Sequence, residues 1–385
     1  MITKLMDRFT RFLALLCVLS VTVTSCYTPT AIPSNVPTPT SATGADSLAT
    51  VVPSAVLTMT SATDPYWPTE AWRTSTPEEQ GIDAQKLAEM VATIKESKMN
   101  VHSLLVIRNG YLVSETYFEP WQQDSRHVIY SATKSFVSTL VGIALDQGAI
   151  DGVDQRVVDF FPERTIANLD QLKKDMTLED LLTMRSGLDW EDPGSYDAMT
   201  QSPDWIQFGL DKPMVEPPGQ RWHYCSGCSH LLNAIVQQTT GMKTSDFAEQ
   251  NLFRPLGITN VLWPADNAGI PAGGAGMQLT PRDMAKLGYL YLRNGQWDGQ
   301  QIVSATWVER ATQKYTDIDV DPHFGYGYHW FTVISMAGYA ALGDRGQIIL
   351  VIPEHDLVIV TTGDTQESIF QLIEQYILPA VQKPQ

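Results

Sequence analysis

Apolar and polar positions along the chain predict a small set of elements. Leu87, Met90, Val91 and Ile94 recur at helical spacing after Asp83, and Ile82 and Leu87 flank that residue as a hydrophobic staple around an N-cap. Leu104 to Ile107 and Tyr111 to Phe118 read as two strands. Asn109-Gly110 between them supplies the positive φ angles of a tight hairpin turn. From Ser131 to Asp146 the apolar residues Phe136, Leu140, Val141 and Ile143 spread around much of a helix, which predicts a buried one. Residues from about 150 to 275 lack strand alternation and read as helices and loops. Gln347 to Ile352 and Leu357 to Thr361 form a second hairpin around Pro353-Glu354-His355-Asp356, followed by a helix over about Ser368 to Leu378. This order predicts an α+β fold with a mostly helical insertion over 151–275, set between the segments 67–150 and 276–385 of an α/β domain. No internal repeat is present.

The N-terminus differs from this body. Lys4, Arg8 and Arg11 precede an apolar stretch from Phe12 to Thr24, which suits a signal peptide over 1–25 and is too short to span a bilayer. Small residues then lead to Cys26, as in a bacterial lipobox. The expectation is export, cleavage and a lipid on Cys26 that anchors the protein to a membrane. Residues 26–66 are rich in Thr, Pro, Ser and Ala, a composition expected of a disordered tether.

The 385 residues carry a formal net charge of −17, and the cationic N-terminal segment makes the remainder more acidic still. That balance excludes a nucleic-acid partner, which requires clustered Lys and Arg. Nothing in the sequence indicates an oligomeric state.

Three segments carry candidate chemistry. In Ser131-Ala132-Thr133-Lys134, positions i and i+3 face the same side of a helix, so Oγ and Nζ can meet. A lysine shielded from water loses part of its proton affinity and can take the serine proton. The spacing alone also fits a polar helix start with a solvated lysine. Tyr224-Cys225-Ser226 follows a Pro-Gly turn, and a phenol beside an ammonium can relay a proton, although a core tyrosine fits equally. Gly343-Asp344-Arg345-Gly346-Gln347 heads the second hairpin. Its glycines allow close backbone approach, and an edge strand there offers N–H groups to an oxyanion.

In this order the three segments resemble the penicillin-recognising serine hydrolases, specifically the class C β-lactamase-like branch. That branch includes family VIII esterases, D-amino-acid-peptide hydrolases and 6-aminohexanoate-dimer hydrolases. Further matching stretches are Thr76 to Gly81, Leu181 to Leu188, Pro255 to Ile258, Leu279 to Ala285 and Tyr326 to Trp330. The resemblance implies a β-lactamase/transpeptidase-like fold, an antiparallel sheet flanked by helices. It implies Ser131 as acylated nucleophile, Lys134 and Tyr224 as base and proton relay, and the N–H groups of Ser131 and Gln347 as oxyanion hole. It requires no metal or cofactor. Ser226 stands where β-lactamases usually carry Asn. Asp344-Arg345-Gly346 replaces their Lys-Thr-Gly, so the lysine that engages a lactam carboxylate is missing, with Arg345 as a nearby cation. These departures favour esters or small amides as substrates. The alternatives are a peptidase or β-lactamase acting on cell-wall peptides or β-lactams, and a non-catalytic sensor. Ser226, Arg345, Gly346, Trp190 and Trp330 are the candidate substrate-binding residues.

Cys225-x-x-Cys228 admits either a disulfide, as expected of an exported protein, or metal ligation with His223 and His230. Neither a Gly-x-Ser-x-Gly elbow nor a His-Glu-x-x-His pair occurs, which removes the α/β-hydrolase and zinc-protease templates.

Overall fold

The computed structural model describes residues 66–382 apart from residue 320. The predicted signal peptide, Cys26 and the tether as far as residue 65 lie outside the described residues.

The first helix, α1 (Ala84–Ser97), is capped as its sequence predicts, with the Asp83 carboxylate accepting from the Gln85 and Lys86 N–H groups. It buries Leu87, Met90 and Ile94. Strands β1 (Val101–Arg108) and β2 (Tyr111–Tyr117) follow, joined by Asn109 and Gly110 at φ 52° and 76°. The segment bearing Ser131 then enters α2 (Thr133–Asp146), buried from Thr133 to Ala144. Between 151 and 275 the named elements are all helical, the longest being α3 (Ser226–Thr240). Helix α4 (Pro281–Leu292), capped by Thr280, leads back to the sheet.

Six further strands complete that sheet: β3 (Thr316–Asp317), β4 (Phe324–Tyr326), β5 (Phe331–Val333), β6 (Gly338–Gly343), β7 (Gln347–Ile352) and β8 (Leu357–Gly363). Their order is β2-β1-β8-β7-β6-β5-β4-β3, with every pairing antiparallel. All residues of β1, β7 and β8 are buried, because helices cover the sheet. A C-terminal helical segment from Ile369 to Ala380 contains a π turn at Ile373–Ile377. The sheet closes by joining β1, near the N-terminal end of the body, to β8, near its C-terminal end. The pairing runs from Val101↔Gly363 to Arg108↔Leu357.

Candidate active site

Ser131 sits in a 3-10 turn, Tyr130–Ala132, that leads directly into α2. Tyr130 immediately before it adopts φ 45°, a conformation that L residues rarely hold without support from their surroundings. Support comes from the segment ahead of α4. The Ile129 N–H donates to the Met277 carbonyl at 2.9 Å, and the Met277 N–H donates to Thr133 Oγ1 at 3.3 Å. The turn therefore presents Ser131 from a rigid frame.

Lys134, one turn on, is 1% exposed. Its Nζ donates to Ser131 Oγ at 3.0 Å, to Ser226 Oγ at 3.1 Å and to the Gly274 carbonyl at 2.6 Å. The ammonium thus has an acceptor for each of its three protons, which offsets the cost of removing it from water. The Nζ also lies 4.6 Å from the centroid of the Tyr224 ring. The structure accordingly brings together Ser131, Lys134, Tyr224 and Ser226.

Segment 222–227 reaches this point through contacts that sequence reading missed. The His223 N–H donates to the Met184 carbonyl at 2.7 Å, and the Cys225 N–H bonds Met184 Sδ at 3.2 Å. Asp192 ties down the start of α3. One carboxylate oxygen accepts from the Ser226 N–H at 3.0 Å and the other from Trp190 Nε1 at 2.8 Å. Cys225 and Cys228 form a disulfide across the first turn of α3. The His223 ring bonds the Trp190 carbonyl, and His230 pairs with Asp266, so these four side chains diverge instead of converging on one ion.

His329 is a second missed residue, although it lies in a stretch that carried the family resemblance. Its Nε2 is 3.0 Å from Ser229 Oγ, and its carbonyl accepts from Ser135 Oγ at 2.6 Å. Burial, and after it the Lys134 charge, pushes its imidazole down to about 3, so the ring is neutral at ordinary pH. It adds no positive charge beside Lys134.

Three sequence-based assignments change. Gln347 opens β7, an interior strand between β6 and β8, where backbone amides are taken up by the ladders. Its carboxamide donates to the Gly363 carbonyl at 2.6 Å. The strand that runs past the Tyr130–Ala132 turn is β6. The backbone of Gly343 approaches so closely that a Cβ there would collide with the Ile129 carbonyl. The pairing of β6 with β5 ends at Ala340, leaving Ala341 to Gly343 with no strand partner on that side among the described residues. The assignment of the oxyanion-hole N–H to Gln347 is therefore corrected. Trp190 and Trp330 are 1% and 0% exposed and serve packing. Trp190 lies against Phe208 and under Gly227, while Trp330 packs tilted against Tyr291 and edge-on against Tyr339, so neither offers a face to a ligand. Arg345 and Gly346 lie in the β6–β7 turn at φ 61° and 88° and line a cavity beside it. The Arg345 guanidinium is held by Asp344 and Asp364 at 3.2 and 3.0 Å, so it is a neutralised cation.

Comparison with known proteins gives the family and the fold. A family model described as Beta-lactamase matches residues 84–378. The 6-aminohexanoate-dimer hydrolase of Paenarthrobacter ureafaciens is 25% identical over 309 residues, covering 74% of this chain and 79% of the relative. Among solved structures, a Bacillus anthracis protein provisionally described as a 6-aminohexanoate-dimer hydrolase superposes with a TM-score of 0.68 at 20% identity, over 82% of this chain and 88% of that one. A family VIII carboxylesterase superposes with a TM-score of 0.63 at 16% identity, over 77% and 96%. With the matched region running from α1 to the last helix, the chain belongs to the beta-lactamase family of hydrolases.

Proposed function

We propose that the protein is a serine hydrolase that cleaves carboxylic esters or small amides through an acyl-enzyme on Ser131. The observation that carries this reading is the buried Lys134 ammonium, which joins Ser131 Oγ to Ser226 Oγ beside the Tyr224 ring. With one member of the Lys134–Tyr224 pair unprotonated, Ser131 Oγ attacks the carbonyl carbon and its proton passes to that member. The oxyanion is met by the Ser131 N–H and by an N–H of β6 beyond Ala340, where the strand edge is open. Breaking the C–O or C–N bond releases the leaving group, which receives the proton. Water then repeats the sequence on the acyl-enzyme and regenerates Ser131.

The turn residues favour esters and small amides over β-lactams. Asp344-Arg345-Gly346 replaces a Lys-Thr-Gly run, and its one cation, Arg345, is already paired with Asp344 and Asp364. Attachment to a membrane through lipidated Cys26 belongs to the same proposal and rests on the sequence.

The test compares wild type with Ser131→Ala on p-nitrophenyl butyrate, with intact-mass detection of a butyryl adduct. Wild type is expected to turn over and to carry the adduct on Ser131. Equal rates for the two proteins, with no adduct, overturn the reading.

A further inference from the structure

The Gly274 carbonyl that accepts from Lys134 Nζ at 2.6 Å belongs to a loop, and one face of α3 holds that loop. Ser226 opens α3. One turn further along, His230 is buried, and its Nε2–H donates to the Asp266 carboxylate at 3.1 Å. Another turn on, Asn233 Nδ2 donates to the Pro271 carbonyl at 2.9 Å. The Asp266 carboxylate is 3% exposed. Its other oxygen accepts from the Ala268 and Ile270 N–H groups at 2.9 and 2.8 Å and so closes the segment 266–270. Beyond Pro271 the backbone runs against the helix. A Cβ on Gly273 would lie 2.1 Å from the Ser229 carbonyl oxygen, and one on Gly274 would lie 2.8 Å from Ser226 Cβ. His230 and Asp266 thus fix where this backbone lies along α3, and with it the position of the Gly274 carbonyl.

A carbonyl oxygen can only accept a hydrogen bond, whereas a hydroxyl can accept or donate. The difference acts on Lys134 once it has given up a proton. A neutral amine has two N–H bonds and one lone pair. The Gly274 carbonyl keeps one N–H, so the lone pair falls to the Ser131 or the Ser226 hydroxyl. We infer that the His230–Asp266 pair positions this amine: it holds the Gly274 carbonyl against Nζ, and the carbonyl turns the lone pair toward the two hydroxyls. Neither His230 nor Asp266 touches the reacting atoms, so both are positioning residues. The consequence for rate rests on the serine-hydrolase reading; the tie from Asp266 to Lys134 does not. The same carbonyl favours the ammonium over the amine, because a hydrogen bond to the charged form is the stronger one. Loosening the loop therefore makes Lys134 easier to deprotonate and leaves its lone pair without a fixed direction.

The test reads Lys134 directly. Protein carrying lysine isotope-labelled at the ε-carbon is titrated by NMR, with the Lys134 signal identified by its loss in Lys134→Met. Asp266→Ala is expected to move the Lys134 midpoint to lower pH. It is also expected to lower kcat on p-nitrophenyl butyrate by about 10- to 100-fold, the loss that accompanies a displacement of about 1 Å at a reacting group. Asp266→Asn keeps an oxygen for the Ala268 and Ile270 N–H groups and an amide for His230 Nε2, and is expected to restore the midpoint and most of the rate. Tyr224 and His329, which also face Lys134, are the same in every variant. His230→Phe cuts only the tie to α3, carries the same two expectations as Asp266→Ala, and replaces it should that variant not fold. A folded variant that melts lower with the Lys134 midpoint unchanged overturns the inference, as does an Asp266→Asn midpoint displaced as far as that of Asp266→Ala. A displaced midpoint in a protein whose wild type hydrolyses no ester leaves the tie standing and overturns the hydrolase reading alone, so the two failures are told apart.

Discussion

Replacing Gly227 by alanine probes how firmly the second half of the site is held. An added Cβ would lie 2.9 Å from Trp190 Cζ2 and nearer still to Cη2 and Cζ3. Carbon atoms rest comfortably at ~3.5–4 Å, so about 1 Å of movement is required. The indole is poorly placed to supply it. It is 1% exposed, packs edge-on against Phe208 and donates to the Asp192 carboxylate, whose other oxygen holds the Ser226 N–H. The start of α3 therefore moves instead, carrying Ser226 and the adjoining Tyr224 away from Lys134. Overpacking of this kind costs about 1–3 kcal/mol. In a chain of this size that lowers the melting temperature by roughly 2–4 °C per kcal/mol. A displacement of about 1 Å at reacting groups lowers the rate by up to ~100-fold. The expected result on p-nitrophenyl butyrate is a kcat reduced by about 10- to 100-fold with a modest loss of thermal stability. Adding Trp190→Phe, whose shorter ring withdraws the colliding carbons, is expected to recover much of the rate. If Gly227→Ala melts lower yet keeps wild-type kcat, the coupling of α3 to the Lys134 cluster is refuted.

Three further outcomes follow from the same structure. Lys134→Met and Lys134→Arg are both expected to lose about 10²- to 10⁴-fold in kcat while still unfolding cooperatively, because a planar guanidinium does not reproduce three convergent bonds from one nitrogen; wild-type rates in Lys134→Arg would contradict this. Acid should destabilise the fold, since burial holds His127 down at about 4 and burial with the Lys134 charge holds His329 at about 3. The unfolded state takes up these protons near pH 6.5 and the folded state does not, so stability is fully present above that pH and falls as pH drops toward 4. Each histidine contributes about 2 kcal/mol of loss by pH 5, to be read from guanidinium midpoints at pH 7 and 5, and coincident midpoints would count against buried neutral imidazoles. Alkylation in denaturant should leave the Cys225–Cys228 peptide unlabelled until a reductant is added, after which it gains two labels; labelling without reductant would show the bond absent.

What could be read from the chain follows from local physics. A helix places residues three apart on one face, so Ser131 and Lys134 were legible as a pair, and the bond between them is 3.0 Å. Two consecutive positive φ angles at Asn109 and Gly110 follow from which residues tolerate them, so the first hairpin was legible too. The buried helix α2 and the cap at Asp83 belong to the same class. Tyr224, Ser226 and Gly274 are another matter, because they meet Lys134 across 90 to 140 residues of chain, and no local pattern encodes such a meeting. Family resemblance supplied Tyr224 and Ser226 but not the Gly274 carbonyl or the Asp192 clamp, which carry no motif of their own. The Gly-rich run at 343–347 looked like an edge offering Gln347, yet strand order placed Gln347 inside the sheet, and the early end of the β5 pairing left only the part of β6 beyond Ala340 open. Trp190 and Trp330 looked like pocket walls because an aromatic side chain has the same composition in a core as in a cleft. The cavity around Asp321 was invisible for the same reason: only the packing of β6, β7 and the last helix decides which side chains line it. Local backbone preference thus determined the elements and the Ser131–Lys134 spacing, while long-range packing decided what surrounds them.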